Sequence, residues 1–217
     1  RRRQRQMCIR DRATSGSKNV AVGVNALDHT TDGHSNTAVG FQALDSNTSG
    51  YRNVAIGSLA LQNNTSGFDS VAIGEGASHN NSSGSKNNAI GFQALYSDLA
   101  SNNNAFGYQA LRSNTSGSHN IGIGTNAVDA NTSGSYNIGI GKDALGANQT
   151  AGNNLAIGYE ALRFSTNGAY NYAVGNNALE NNTSGVRNVA LGHEALTANT
   201  TGGYNTALGD TTLKANQ

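Results

Sequence analysis

Residues 40–56 read GFQALDSNTSGYRNVAI. The same seventeen-residue phrase, with substitutions, fills nearly the whole chain. A glycine preceded by Ala or Gly and then an aliphatic or aromatic residue falls at Gly23, Gly40, Gly57, Gly74, Gly91, Gly107, Gly124, Gly141, Gly158, Gly175, Gly192 and Gly209. Every step is 17 residues except Gly91 to Gly107, which is 16. A fixed short period is the signature of a solenoid, because a unit this small cannot bury its apolar residues except against its neighbours. Such a chain points to a structural or binding surface rather than to a single catalytic pocket.

With the anchor glycine as slot 1, the unit is G-x-x-A-L-x-x-N-T-S-G-x-x-N-x-A-(I/V). Slot 4 is Ala in all eleven complete units, slot 5 is apolar in all but one (Ser78), and slot 17 is always apolar. Slot 14 is Asn except at Ser70, and slot 16 is only Ala or Gly. Slots 14 to 17 read as a short strand whose slots 15 and 17 point inward at period two, with slot 16 on the other face. N-T-S-G reads as a turn, its Gly permitting positive φ. Slots 2 to 5 fit either a second short strand or one helical or 3₁₀ turn. The expected fold is all-β: a parallel β-solenoid, or β-roll, of about twelve 17-residue coils. With strands ~4.8 Å apart the rod is about 58 Å long, and the slot 14 Asn side chains form an amide ladder. Ser78 and the shortened unit at Asp98-Leu99-Ala100 mark the place where the weakest hydrogen-bond ladder is expected.

Hydrophobic residues make up 36% of the chain and Gly 28 of 217 positions, which by composition alone approaches disorder; the strict period argues otherwise. The single cysteine, Cys8, excludes an intrachain disulfide, and no apolar run reaches transmembrane length. Residues 1–12, RRRQRQMCIRDR, hold six of the fourteen basic residues and lie outside the pattern. They read as a non-native, disordered leader resembling translated adapter sequence. Without them the formal charge changes from +1 to −4, so no nucleic-acid partner is expected. The repeat domain spans 13–217. It enters and leaves in mid-unit, as expected of a piece of a longer protein with any membrane anchor in a further domain.

The strings NTAVGFQAL (36–44), NVAIGSLAL (53–61) and NNAIGFQAL (87–95) resemble the head repeats of trimeric autotransporter adhesins of the YadA type. They are also similar to repeats in phage tail fibres and in surface proteins ending in a chaperone domain. The adhesin head unit is shorter, and the extra residues here fall in the N-T-S-G turn. The resemblance implies a left-handed parallel β-roll and a homotrimer. It also implies a cell-surface (outer-membrane) or virion location, and adhesion to a host surface protein or glycan.

No residues group into catalytic or cofactor-binding motifs. No nucleophile elbow or phosphate loop is visible, and the chain does not read as an enzyme. His29, His34, His79, His119 and His193 occupy five different slots, so no metal or cofactor is expected. Slot 9 is Thr in eight units, Thr31, Thr48, Thr65, Thr115, Thr132, Thr166, Thr183 and Thr200. Such a row could order water, which makes a monomeric ice-binding or glycan-binding solenoid the alternative to an adhesive rod; otherwise the hydroxyls satisfy turn backbone. Asn47, Asn64, Asn114, Asn131 and Asn182 open N-x-S/T sequences that could carry glycans or serve the turn. Aromatic residues scatter over slots 2, 12 and 13 and read as edge cover.

Overall fold

The computed structural model describes residues 16–215. The leader at 1–12, and positions 13–15 and 216–217 of the repeat domain, lie outside the described residues. The described residues form one parallel sheet of twelve three-residue strands in sequence order, from β1 (Val20–Val22) to β12 (Thr206–Leu208). Strand β3 (Val54–Ile56) pairs with β4 (Val71–Ile73) as Val54↔Val71, Ala55↔Ala72 and Ile56↔Ile73, so like slots stack on like. The expected β-solenoid is present, and strands occupy slots 15 to 17 only.

The faces of the sheet are reversed from the expectation. The slot 16 residues Ala38, Ala55, Ala72 and Ala89 are fully buried. The larger residues of slots 15 and 17 point outward, and Ile56, Ile90 and Ile123 remain more than a third exposed. The interior opposite the strand is only one methyl wide. At Gly139, which takes slot 16, an added Cβ would lie 2.5 Å from Val128 Cγ2 and 3.0 Å from the Ala144 carbonyl O. The core is therefore Ala of slot 16, Ala of slot 4 and Leu of slot 5, with one large aliphatic per coil (Leu44, Leu61, Leu95) rather than two. Each buried Leu contributes roughly 1.5–3 kcal/mol.

Slots 1 to 5 are neither strand nor helix. In coil 40–56, Gly40 has φ 143°, Gln42 φ 53° and Leu44 φ 52°, and Arg52 in slot 13 has φ 54°. A bulky residue in the left-handed region costs on the order of 1–2 kcal/mol. Inter-coil bonds offset this, with Gln42 N–H donating to Val24 O at 2.9 Å and Leu44 N–H to Ala60 O at 3.0 Å. Slot 3 thus bonds the previous coil and slot 5 the next. The slot 11 glycine is not a positive-φ position as expected. It is needed for space, because a Cβ on Gly67 would lie 2.3 Å from Asn64 Oδ1 and 2.4 Å from Gly84 O.

Two buried Asn rows replace the single amide ladder expected. In slot 14, Asn53 Oδ1 accepts the backbone N–H of Ser70 at 3.1 Å, and its Nδ2 donates to Gly67 O at 2.8 Å, both in the next coil. The row bonds mainly to backbone, which is why a Ser hydroxyl at Ser70 can continue it to the N–H of Asn87. The amide-to-amide row is slot 8. Asn64 Nδ2 donates to Asn47 Oδ1, Asn131 Nδ2 to Asn114 Oδ1, and Asn148 Nδ2 to Asn131 Oδ1.

At the shortened unit the strand ladder continues, but the turn ladder lapses as expected of a weak joint: the slot 9 N–H bonds the next coil's slot 9 carbonyl at Thr48, Thr65, Thr115 and Thr132, and Ser82 makes no such bond. Strand β5 (Asn88–Ile90) pairs in register with β6 (Asn104–Phe106). Leu95 N–H reaches Ala110 O at 3.0 Å, and Asn104 N–H reaches Asn120 O at 2.8 Å. The side-chain rows do falter there, for Ser78 Oγ and Asn81 Oδ1 are buried without a partner.

Candidate binding surfaces

The outward side of the sheet is the most extensive candidate. Its slots 15 and 17 carry Val54, Ile56, Val71, Ile73, Ile121, Ile123, Ile138 and Ile140, spaced at the strand pitch on a narrow ribbon. Flanking neighbours keep most of them half-buried, but no element of the described chain covers them. Rows of aliphatic side chains at a fixed pitch fit a surface with the same pitch, and contiguous apolar area of this kind marks association sites.

The eight Thr of slot 9 do form a row along the rod, as the sequence suggests. The hydroxyls of seven of the eight are committed, however. Thr48 Oγ1 donates to Thr65 O at 2.9 Å, Thr65 Oγ1 to Ser82 O at 2.8 Å and Thr115 Oγ1 to Thr132 O at 2.9 Å. Thr31, Thr132, Thr166 and Thr183 each donate to the slot 9 carbonyl of the next coil in the same way. The row breaks at Ser82, Leu99 and Gln149. Asn47, Asn64, Asn114, Asn131 and Asn182 are fully buried, so the folded rod withholds these amides from any glycan transfer.

The aromatic residues form short stacks rather than scattered cover. His34, Tyr51 and Phe68 share slot 12 in successive coils, with centroids 5.1 and 4.9 Å apart. His119 stacks on Tyr136 at 4.9 Å, and the Arg187 guanidinium sits between Tyr170 and Tyr204 at 5.5 and 5.4 Å. Stacked rings hide their faces and show their edges, so a ligand that needs an open ring face finds one only where a stack ends.

Titratable groups gather in three places that the sequence does not flag. Asp28, His29 and Asp45 bring their ligating atoms within 4.8 Å of one another. His29 Nδ1 is engaged there by the Asp45 carbonyl at 3.1 Å and by its carboxylate at 3.3 Å. A hollow of about 200 Å³ opens where Gly146 leaves slot 6 empty, lined by Asp129, Asp143, Arg163 and Phe164. Burial and, secondarily, the Asp143 carboxylate push Asp129 up to about 6. Asp98 holds the slot 8 position of the shortened coil, where burial pushes its carboxyl up to about 7 against the opposing bonds from Ala100 N–H, Asn103 and Asn114. Spacing within one unit could not reveal these groups, because each is assembled across coils.

No family model, curated protein or solved structure matches the chain. Among the described residues no helix is long and apolar enough to cross a membrane.

Proposed function

We propose that the chain is a rod segment of a cell-surface adhesin or phage tail fibre, located outside the cell or on a virion. It binds a host surface protein or glycan through many weak, repeated contacts rather than by catalysis. The rods assemble side by side, as a homotrimer, through the outward face of the sheet. The observation that carries this reading is the reversed strand. Small residues fill the inside, while mostly β-branched residues stand outside in two rows, of which slot 17 is apolar throughout. A second copy is the natural occupant, since it presents the same rows at the same pitch. Twelve strands ~4.8 Å apart and roughly 10 Å long give a footprint of about 600 Å² per copy. Summed over the three copies, these footprints come to about 1,800 Å², the scale of a standard specific interface.

Sedimentation equilibrium of the full chain tests this. The expected mass is three times 22.3 kDa. The double variant Ile56→Lys, Ile73→Lys, which alters only outward positions, is expected to give a folded monomer. A wild-type monomer at tens of micromolar would remove the assembly, and host-surface adhesion would then have to reside in a single rod.

A further inference from the structure

Slot 15 of the outward face runs Val20, Thr37, Val54, Val71, Asn88, Asn104, Ile121, Ile138, Leu155, Tyr172, Val189, Thr206. Two successive coils near the middle carry Asn where their neighbours carry Val or Ile. Asn88 Nδ2 donates to Asn104 Oδ1 at 2.7 Å, and both side chains are half-buried on the outward face. Asn is a poor strand residue and Val a good one, and Val fills the same slot at Val20, Val54, Val71 and Val189. The fold itself therefore gains nothing obvious from the pair.

Rods built of near-identical coils face a specific problem when they pack side by side. Sliding one rod by a single coil, ~4.8 Å, brings like rows against like rows again and costs only the contacts at the ends. Aliphatic rows cannot prevent this. A polar step in the middle of the rows can. In register, the Asn88–Asn104 pairs of neighbouring copies meet, and the second amide hydrogen and free lone pairs of each find partners. One coil out of register, Asn88 of one copy still meets Asn104 of the next, but the other Asn of each copy meets Val71 or Ile121 and loses water without gaining a bond. A buried amide left unpaired is unfavourable enough to decide between otherwise equal registers, as a single buried Asn does in coiled coils.

We infer that the Asn88–Asn104 pair is a register-setting contact between copies of this chain, forming one polar layer in the apolar association face. This rests on the side-by-side association proposed above. Of the other polar slot 15 residues, Thr37, Tyr172 and Thr206, no two are consecutive and none makes a hydrogen-bonded step like this one.

Offset disulfide trapping tests it. Two full-length chains are made with Cys8→Ser, one with Ile56→Cys and the other with Ile73→Cys, differing in tag, and are refolded together. Residues 56 and 73 hold the same slot one coil apart. With the Asn pair intact, oxidation is expected to give 56–56 and 73–73 disulfides, with the 56–73 product about tenfold or more below them. In the Asn88→Val, Asn104→Val background, assembly is expected to persist and the 56–73 product to rise at least severalfold. An equal and low 56–73 fraction in both backgrounds, with assembly intact, would overturn the register role alone. A monomeric wild type, or an assembly with no disulfide either here or when the cysteines are moved to slot 15 (Val54→Cys, Val71→Cys), would overturn the association face and the register role with it. Because Val is already the common slot 15 residue, the double variant should fold; circular dichroism and an unchanged unfolding midpoint check this.

Discussion

Asn114 Nδ2 donates to Asp98 Oδ1 at 2.8 Å, while Asn81, in the same slot of the coil before, has a buried Oδ1 that receives no donor. At the Asn-to-Asn steps of this row from 47 to 64, 114 to 131 and 131 to 148, the later amide donates to the earlier oxygen. An ionised Asp98 cannot do so, whereas its neutral acid has an O–H to offer. The groups bonded to it are neutral: Ala100 N–H, Asn103 and Asn114. The titratable side chains on the three coils involved, Glu75, His79, Lys86, Tyr96, Tyr108, Arg112 and His119, are half-buried or exposed, while the Asp98 carboxyl is enclosed.

Burial raises Asp98 from 3.8 to about 7 in the folded rod. The stability attached to its neutral form is therefore fully present below about pH 4 and is lost as pH rises through 7. Asp98→Asn, which restores the row, is expected to remove this pH dependence and to stabilise the rod at pH 8 by on the order of 2–4 kcal/mol, with little change at pH 4. Urea midpoints of the two chains at pH 4, 6 and 8 decide it; parallel pH profiles would refute the assignment.

Gly57 has φ 130°, and a Cβ there would lie 2.6 Å from the Gly74 carbonyl O. Gly57→Ala must both enter a region closed to L-residues and push adjacent coils apart. A loss of about 3 kcal/mol or more is expected, read as a drop in thermal midpoint. Retention of the wild-type midpoint would mean that the coil tolerates a wider stacking distance than the structure has.

Asn53→Ala removes the acceptor of the Ser70 N–H and the donor to Gly67 O. Because a buried N–H is left orphaned, the expected cost is about 2–4 kcal/mol. Asn53→Ser should recover some of it, since a hydroxyl already plays this role at Ser70. Equilibrium unfolding of the pair checks both the loss and the incomplete rescue.

The committed hydroxyls of the Thr row lead to an expectation for ice. Thr48, Thr65, Thr115 and Thr132 all direct their proton to the next coil's carbonyl, so the row offers no regular set of donors to a water lattice. No thermal hysteresis is expected from the wild-type chain at millimolar concentration. A measurable gap, abolished by Thr48→Val and Thr65→Val, would reverse the reading.

The period, the parallel stack and the strand position were legible because every seventeenth residue repeats its chemistry. The direction of the strand was not. Val-Ala-Ile at 54–56 reads as two large residues inside and one small outside, the usual outcome when a strand faces a roomy core. Here Ala55 faces a turn whose Ala and Leu already fill the interior, so only a methyl fits and the large residues go out. The turn at slots 1 to 5 was illegible for a related reason: Gln42 and Leu44 adopt left-handed φ values that their side chains do not favour, and the inter-coil bonds impose them. The slot 8 Asn row hid inside N-T-S-G, which has the composition of an ordinary turn. Asp98 became legible as an exception only once the row it interrupts was known. By the same comparison, Leu95 and Asn104 are expected to match Leu61 and Val54 in hydrogen-exchange protection, with faster exchange at Ser82 and Ser83, which bond no carbonyl of the shortened coil. Uniformly fast exchange from 91 to 106 would extend the weak joint to the whole coil.

The seventeen-residue offset between paired strands also fixes how the rod answers a pull along its axis. An end coil that peels away shortens the rod by only ~4.8 Å but releases roughly 60 Å of chain. Under load the molecule would act as a spool, lengthening more than tenfold over the coils that yield while the remaining coils hold their place.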